Sequence, residues 1–426
     1  MLQITQIKEN QLDFEKRLAK RGLDSKTIIA KILDKDALRK NLQTQRDELL
    51  ASANALSAEI GKLYKEGNTV LADEKKASSH SLKEHAKTVE MQLEIIENDL
   101  RTILNDTPNV PHESVPDGKT SEDNLEVFKH GSVPIMSVNA KPHWDIVSEA
   151  GMIDFELGVK VTGAGFPIYL GVGAKLQRAL INFFLDEAGK AGYLEVQVPI
   201  LVNKESAYGT GQLPDKDGQM YFANEDSLYL IPTAEVPITN IFRDVILPES
   251  SLPQKRVGYT PCFRREAGSY GKDVRGLNRL HQFDKVEIVQ IVHPSKSYDA
   301  LEEMVNHVKS LMEKLELHYR ILLLCGGDMG FTSAKTYDFE VWSAAQKRWL
   351  EVSSTSCFET YQANRLKCRF KNSETGKNEL VHTLNGSAIA LPRIVAALIE
   401  NNQMEGNKIN IPAVLRPYLG MNEIAY

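Results

Sequence analysis

Four leucines, Leu42, Leu49, Leu56 and Leu63, recur every seven residues, with Ala53 and Ile60 filling the positions between them. A second series, Leu82, Val89, Ile96 and Ile103, repeats at seven with Ala86, Leu93 and Leu100 interleaved. No proline interrupts residues 30–107. Heptads sustained over this length require a coiled coil, because the apolar seam must keep facing a partner helix. Gly67 and Asn68 stand between the two series and predict a chain reversal, so the helices should run antiparallel. A helix of about 35 residues is about 50 Å long, which makes this stretch an arm projecting from a body. Residues 1–20 read as one short amphipathic helix with Ile4, Ile7, Phe14 and Leu18 inward and Gly22 as its stop.

Lys62, Lys65, Lys75, Lys76, Lys83 and Lys87 lie toward the predicted tip, with Glu66, Asp73, Glu74 and Glu84 among them. Such charges are ordinary on a coiled-coil exterior and often contribute little. A protruding hairpin that bears lysines could equally grip a phosphate backbone. The two readings differ in the salt dependence of RNA affinity. Pro108, Pro111, Pro116 and Gly118 end the helical pattern, so a domain boundary is expected near residue 110, with a helical domain over 1–109 and a second domain over 110–426. The net charge of −6 rules out a global basic field, but nucleic-acid binding depends only on the contacted surface. Cys262, Cys325, Cys357 and Cys368 form no Cys-x-x-Cys pair, which argues against structural zinc or a disulfide framework and for a reducing compartment. No stretch of signal-peptide or membrane-span character is present in the sequence, so a cytoplasmic location is expected.

Residues 256–292 hold two strand-like runs around a loop with Gly268, Gly271 and Gly276. In the second run Val286, Ile288 and Val292 share one parity, and Phe283, Lys285 and Glu287 share the other. Period-two alternation sends these sets to opposite faces of a sheet. Arg264 and Glu266 share a face on the first run. The hairpin is then either an amphipathic one with a solvated charged face, or the floor for an anionic ligand with a flat ring.

The rest of the body reads as a helix near 143–151, a strand near 166–170, a helix near 173–191 with Leu176, Leu180, Phe183, Phe184 and Glu187 in one stripe, and a strand ending at Pro199. A glycine-bounded polar loop follows at 209–222. A strand then ends in Thr233-Ala234-Glu235, where a hydroxyl and a carboxylate of one parity could hold an ammonium group. A helix is expected over 297–317, and strands over 338–342 and 349–352. Glu351 and Ser354 differ in parity, so only a strand end or a bulge would point both at one ion. Near residue 392 a strand gives way to an apolar helix. Proline is tolerated at a helix start, so the helix is expected to begin at Pro392 and to aim its N-terminus and Arg393 at an anion.

The run FRREAG, an arginine-bearing loop and HQFDKVE resemble motif 2 of the class II aminoacyl-tRNA synthetases, and in detail that of the seryl-tRNA synthetase family. Residues 382–403 resemble motif 3, with Ala388 and Pro392 where glycine is common. Helix 173–191 with its strand resembles motif 1, which builds the family's dimer interface. The resemblance runs from the helical arm to the closing IPAVLRPYLGMNEI. It implies an α+β fold, an antiparallel sheet flanked by helices with an N-terminal coiled-coil arm. It implies activation of L-serine with ATP and Mg2+, no zinc, and transfer to tRNA(Ser), with tRNA(Sec) as a second candidate, by a homodimer whose arm holds the tRNA.

By the same resemblance Arg264, Glu351 and Arg393 are catalytic. Arg264, Arg265, Glu266, Phe283, Glu351, Val352, Ser353, Ser354 and Arg393 bind ATP, with Glu351 and Ser354 on the metal. Thr233, Ala234, Glu235, Arg264, Glu287 and Ser387 bind serine. Three other readings compete: a catalytically silent relative that binds RNA, a carrier-protein ligase on the same body, and a coiled-coil scaffold. The first should have lost Arg264, Glu266, Glu351 or Arg393, the second should lack the arm, and the third leaves everything after residue 105 unexplained.

Overall fold

The computed structural model describes residues 1–136, 140–215, 218–265 and 275–426. The chain forms two compact units. One holds Leu2–Ala19 and Leu23–Pro108, and the other holds Met1, Lys20–Gly22 and Asn109–Tyr426.

The helical unit begins with two helices where the sequence predicts one, α1 (Ile4–Glu9) and α2 (Gln11–Ala19). They break at Asn10, so Ile7 and Leu18 are fully buried while Ile4 and Phe14 are only partly so. Gly22 does adopt a left-handed φ of +73°, but the helix has already ended at Ala19. Then come α3 (Ser25–Lys65, 41 residues) and α4 (Thr69–Asp106, 38 residues). At 1.5 Å per residue each is about 60 Å long. Gly67 takes φ +78° at the reversal, a conformation that costs glycine little. The heptad residues form the seam: Leu42, Ala53, Ala86, Val89, Leu93 and Leu100 are buried, and the other positions are half-buried. Lys35 meets Asp99 at 2.6 Å, Lys75 meets Glu59, and Tyr64 donates to Asp73 at 2.5 Å, which fixes the antiparallel register. Farther out the seam carries small side chains, with the Ser79 hydroxyl 3.3 Å from the Ala53 carbonyl.

The second unit is built on an eight-stranded sheet. Its strands in chain order are β1 (Leu125–His130), β2 (Leu194–Glu195), β3 (Gln254–Phe263), β4 (Gln282–Val292), β5 (Tyr319–Leu323), β6 (Lys335–Ser343), β7 (Arg348–Cys357) and β8 (His382–Ala390). Across the sheet they run β1-β5-β6-β7-β8-β4-β3-β2. All neighbours are antiparallel except β2, which pairs parallel to β3. Helices α5 (His143–Glu149), α6 (Gly171–Lys190), α7 (Glu235–Asn240), α8 (Ser297–Lys314), α9 (Thr360–Leu366) and α10 (Leu391–Asn401) complete the frame used below. Leu176, Leu180, Phe183 and Phe184 of α6, Leu301, Met304 and Val308 of α8, and Ile394 and Leu398 of α10 share one core with Val286, Ile288, Phe339 and Val352 of the sheet. Glu187, the charged member of the α6 stripe, is buried and paired with Lys190 at 2.6 Å and with Lys314.

One open pair of alternatives is decided, and three local expectations need correction. The polar parity of β4 is not solvated: Lys285 and Glu287 are 6% and 1% exposed, because that face is the floor of a cleft. Thr233-Ala234-Glu235 does not end a strand. The strand stops at Leu230, and Glu235 is the first residue of α7. β7 runs on to Cys357, so Glu351–Ser354 lies inside it. The bulge alternative is the one realised: Phe339 pairs with Ser353 but Glu340 pairs with Glu351. The extra residue resets the parity, so that Leu350, Val352 and Cys357 enter the core while Glu351, Ser354 and Ser356 line the cleft. Finally, α10 starts at Leu391, with Pro392 still in its first turn, where the missing N–H is harmless. A second bulge precedes it: Lys285 pairs with Ala390 and Glu287 with Ser387, and Ile389 takes φ +110°. A β-branched residue is strained there. Full burial of Ala388 and Ile389 in the core offsets that strain.

Candidate active site

The cleft over β4, β7 and β8 has a volume of about 660 Å³, the size of a small-molecule site. Its inner end is built from charges that compensate one another. The Lys285 ammonium pairs with the Glu287 carboxylate and donates to Thr233 Oγ1 at 2.7 Å. That hydroxyl donates to Glu287 Oε2 at 3.2 Å and accepts the Glu235 backbone N–H at 3.3 Å. Thr233 therefore sits beside Glu235 through a turn at the start of α7 rather than through strand parity. Glu235 Oε1 accepts from Gln362 Nε2 of α9 at 2.6 Å, and Gln362 Oε1 accepts from the Thr383 hydroxyl at 2.7 Å. Burial, and then repulsion from Glu287, push the Glu235 carboxyl up to about 7, against its Gln362 hydrogen bond and the nearby Lys285 and Arg264. Ser387 lines the same end, and its carbonyl accepts from the Ser353 hydroxyl at 2.6 Å.

Arg264 lines the same cleft, close enough for its charge to act on Glu235. Its Nε donates to the Pro232 carbonyl at 3.2 Å, and its guanidinium lies 5.2 Å from the centre of the Phe283 ring. At the outer end Arg393 Nη1 donates to the Glu351 carbonyl at 2.7 Å and faces its carboxylate at 3.5 Å. Asp338 pairs with Ser354 across the β6–β7 ladder. Its Oδ1 is shielded from solvent with no hydrogen-bond partner. Burial, then the Glu351 charge, hold the Asp338 carboxyl well above the usual range, against a hydrogen bond from Ser354.

Thr233, Glu235, Arg264, Phe283, Glu287, Glu351, Val352, Ser353, Ser354, Ser387 and Arg393 thus surround one cleft. Two of the expected residues lie elsewhere. Ala234 packs in the apolar cluster behind the site, and Arg265 is exposed with its guanidinium 5.6 Å from the Tyr221 ring centre. Glu266 lies outside the described residues. Sequence reasoning missed Asp338, Asn278 and Gln362. Only Asp338 had a signal, its place in an alternating strand that turns out to face Ser354.

Residues 1–111 match the seryl-tRNA synthetase N-terminal domain, and residues 220–402 match the tRNA synthetase class II core domain (G, H, P, S and T). The chain is 47% identical to the serine–tRNA ligase of Salinibacter ruber over 424 residues, covering 100% of this chain and 99% of that one. The chain belongs to the seryl-tRNA synthetase family. The serine–tRNA ligase of Akkermansia muciniphila is 45% identical, with 99% of this chain and 98% of that one covered. Among solved seryl-tRNA synthetases, that of Pyrococcus horikoshii, complexed with ATP, superposes with a TM-score of 0.92 at 34% identity over 100% of this chain and 99% of its own. The seryl-tRNA synthetase fold therefore holds from the coiled coil to the last strand.

Chemistry at ATP phosphates implies Mg2+. The donors here are all oxygen: the Glu351 carboxylate, the Ser354 hydroxyl and the unpartnered Asp338 Oδ1. Among the described residues no group of three or more His, Cys, Asp or Glu would hold a metal alone. The chemistry of an all-oxygen donor set with two carboxylates suits Mg2+, which takes one or two carboxylates and completes its shell with phosphates and water.

Proposed function

We propose that the chain activates L-serine with ATP and transfers it to the 3′ end of tRNA(Ser), with tRNA(Sec) as a second substrate. The carrying observation is that Arg264 lines one cleft with both sets of groups: its charge acts on Glu235, in the end suited to a small zwitterion, and its guanidinium lies over Phe283, a ring suited to a nucleotide base. In the first step a serine carboxylate oxygen attacks the α-phosphorus, the bond to the β-phosphate breaks, and pyrophosphate leaves. In the second, the terminal ribose hydroxyl of the tRNA attacks the seryl carbonyl and AMP leaves. Chemistry of this kind depends on positioning and charge neutralisation rather than on a protein nucleophile.

Arg264 has a planar fork that can hold the serine carboxylate and the α-phosphate together. Phe283 offers a ring face to adenine, and Arg393 a guanidinium to the far phosphates. Glu351, Ser354 and Asp338 would hold the magnesium, which neutralises phosphate charge when bound. Glu287, neutralised by Lys285, is a buried acceptor for the serine hydroxyl, so alanine should be rejected by about 10⁴. Exposed apolar side chains in the motif 1 region, Val159, Val161, Leu194 and Leu201 among them, support the homodimer. No helix among the described residues is long and apolar enough to cross a membrane, and a cytoplasmic setting goes with the proposed reaction. The test is ATP–pyrophosphate exchange across all twenty amino acids. Serine alone should support it, and absence of exchange by folded protein would favour the silent RNA-binding relative. Against that alternative, Arg264, Glu351 and Arg393 are all kept in one cleft.

Glu235, proposed to hold the serine ammonium, makes binding depend on pH. With a pKa of about 7 in the empty site, it is mostly neutral at pH 6 and must lose a proton to bind the cation. The sign follows: the KM for serine should fall about fivefold from pH 6 to pH 7 and about tenfold in all by pH 8, where it levels off. Proton release, measured by calorimetry in buffers of different ionisation enthalpy, should accompany binding below pH 7. Glu235→Gln should show a high serine KM at every pH and no proton release.

A further inference from the structure

One buried pair has no part in the chemistry above. His143 on α5 and Glu400 on α10 are both fully buried. Glu400 Oε1 accepts the His143 backbone N–H at 3.0 Å and faces ring Nδ1 at 2.7 Å. The Ser343 hydroxyl donates to its Oε2, and Gln346 Nε2 donates to Oε1 at 3.1 Å. Burial raises the Glu400 carboxyl, but the contacts from His143 and Ser343 outweigh it and hold the group below its ordinary range.

The other ring nitrogen, Nε2, lies 2.9 Å from the backbone N–H of Leu277. A backbone N–H can only donate, so Nε2 is an acceptor and the ring proton must sit on Nδ1, donated to Glu400. Gly276, at φ +67°, closes over the ring; a Cβ there would fall 2.3 Å from Nε2.

Leu277 and Asn278 line the cleft. The Asn278 carbonyl accepts Arg393 Nε at 3.1 Å, and its side-chain amide donates to Gln346 at 3.0 Å. Arg393 and Glu400 stand two turns apart on α10. The contacts therefore close a ring, from α10 through Glu400, His143, Leu277 and Asn278 back to Arg393.

We propose that His143 is a positioning residue for the nucleotide: as a neutral acceptor for the Leu277 N–H, with its tautomer set by Glu400, it fixes the carbonyl that orients the Arg393 guanidinium. This rests on the reading of the outer cleft as the ATP compartment, and not on which amino acid is activated.

The experiment is calorimetric ATP affinity of His143→Gln and His143→Asn, with serine KM from exchange alongside. A glutamine amide reaches the place of Nε2 and can accept from Leu277; an asparagine amide reaches only the place of Nδ1. His143→Asn should weaken ATP by about tenfold, the value of one buried hydrogen bond left unmade, with serine KM within about twofold of wild type. His143→Gln should recover ATP affinity to within about threefold of wild type. Equal ATP affinities in the two variants, or serine KM and ATP affinity worsening together, would overturn the proposal. Imidazole ¹⁵N NMR of the wild-type protein, with the His143 signal assigned by its loss in His143→Gln, reads the tautomer without dependence on the asparagine variant folding. The Nδ1–H form supports the proposal, and an Nε2–H form or an imidazolium overturns it. A wild-type chain that binds ATP but shows no serine-dependent exchange would sink the serine reading and leave this comparison readable.

Discussion

Arg264→Ala is expected to lower serine-dependent pyrophosphate exchange by about a thousandfold or more, some 4 kcal/mol of transition-state stabilisation. The size follows from the two charges that meet at its position. Without the guanidinium, the serine carboxylate and the α-phosphate would face each other as bare anions beside Lys285, a cleft cation already paired with Glu287. The fold should survive. The Arg264 side chain is only partly buried, and its contacts include a hydrogen bond to Pro232 and the face of Phe283. Their loss costs about 1 kcal/mol, a Tm shift of no more than about 4 °C in a unit of this size. Arg264→Lys should restore stability but little activity, because an ammonium cannot reproduce the two-armed geometry. Near-normal exchange in Arg264→Ala would remove the residue from the mechanism. A fall in Tm large enough to unfold the chain at the assay temperature would make the role structural.

What the sequence disclosed followed the reach of each signal. The heptads of Leu42–Leu63 and Leu82–Ile103 are local, and the coiled coil was legible from them to within a few residues. The parity of Val286 and Ile288 correctly marked a core face, but parity alone could not say whether Lys285 and Glu287 met water or a cleft, since that depends on what β7 and β8 place above them. Glu351 and Ser354 could share a target only through an irregularity, and the bulge against β6 supplies one that no local pattern announces. Thr233 and Glu235 reached one site by a helical turn that the strand argument had wrong. Gln362 meets Glu235 across 127 residues, and His143 meets Glu400 across 257. Single polar residues that distant leave no periodic trace, so partnerships of this kind emerge only from the fold.

Shortening the coiled coil should separate the two half-reactions. The cross-pairs Lys35–Asp99 and Glu59–Lys75 set the register of α3 against α4, which places Arg46 across from Thr88. Removing residues 47–87 and joining those ends with a short glycine linker keeps the buried cluster of Leu42, Val89 and Leu93. The same cut removes Lys62, Lys65, Lys75, Lys76, Lys83 and Lys87. Of these, Lys75 is already paired with Glu59, while the other five are exposed and able to meet phosphates. No residue of the cleft is touched, so exchange should stay within about twofold of wild type. Charging of serine tRNA should fall at least about a hundredfold in kcat/KM, some 2.7 kcal/mol, if the arm supplies the grip on the RNA. Salt offers an independent reading. Each phosphate contact adds about 0.7 to 0.9 to the slope of log affinity against log salt, so tRNA affinity of the intact chain should fall steeply with ionic strength and that of the shortened chain much less. Charging at the normal rate would leave the lysines as a solvated helix exterior. Loss of exchange together with charging would mean that the coiled coil supports the catalytic unit itself rather than the RNA.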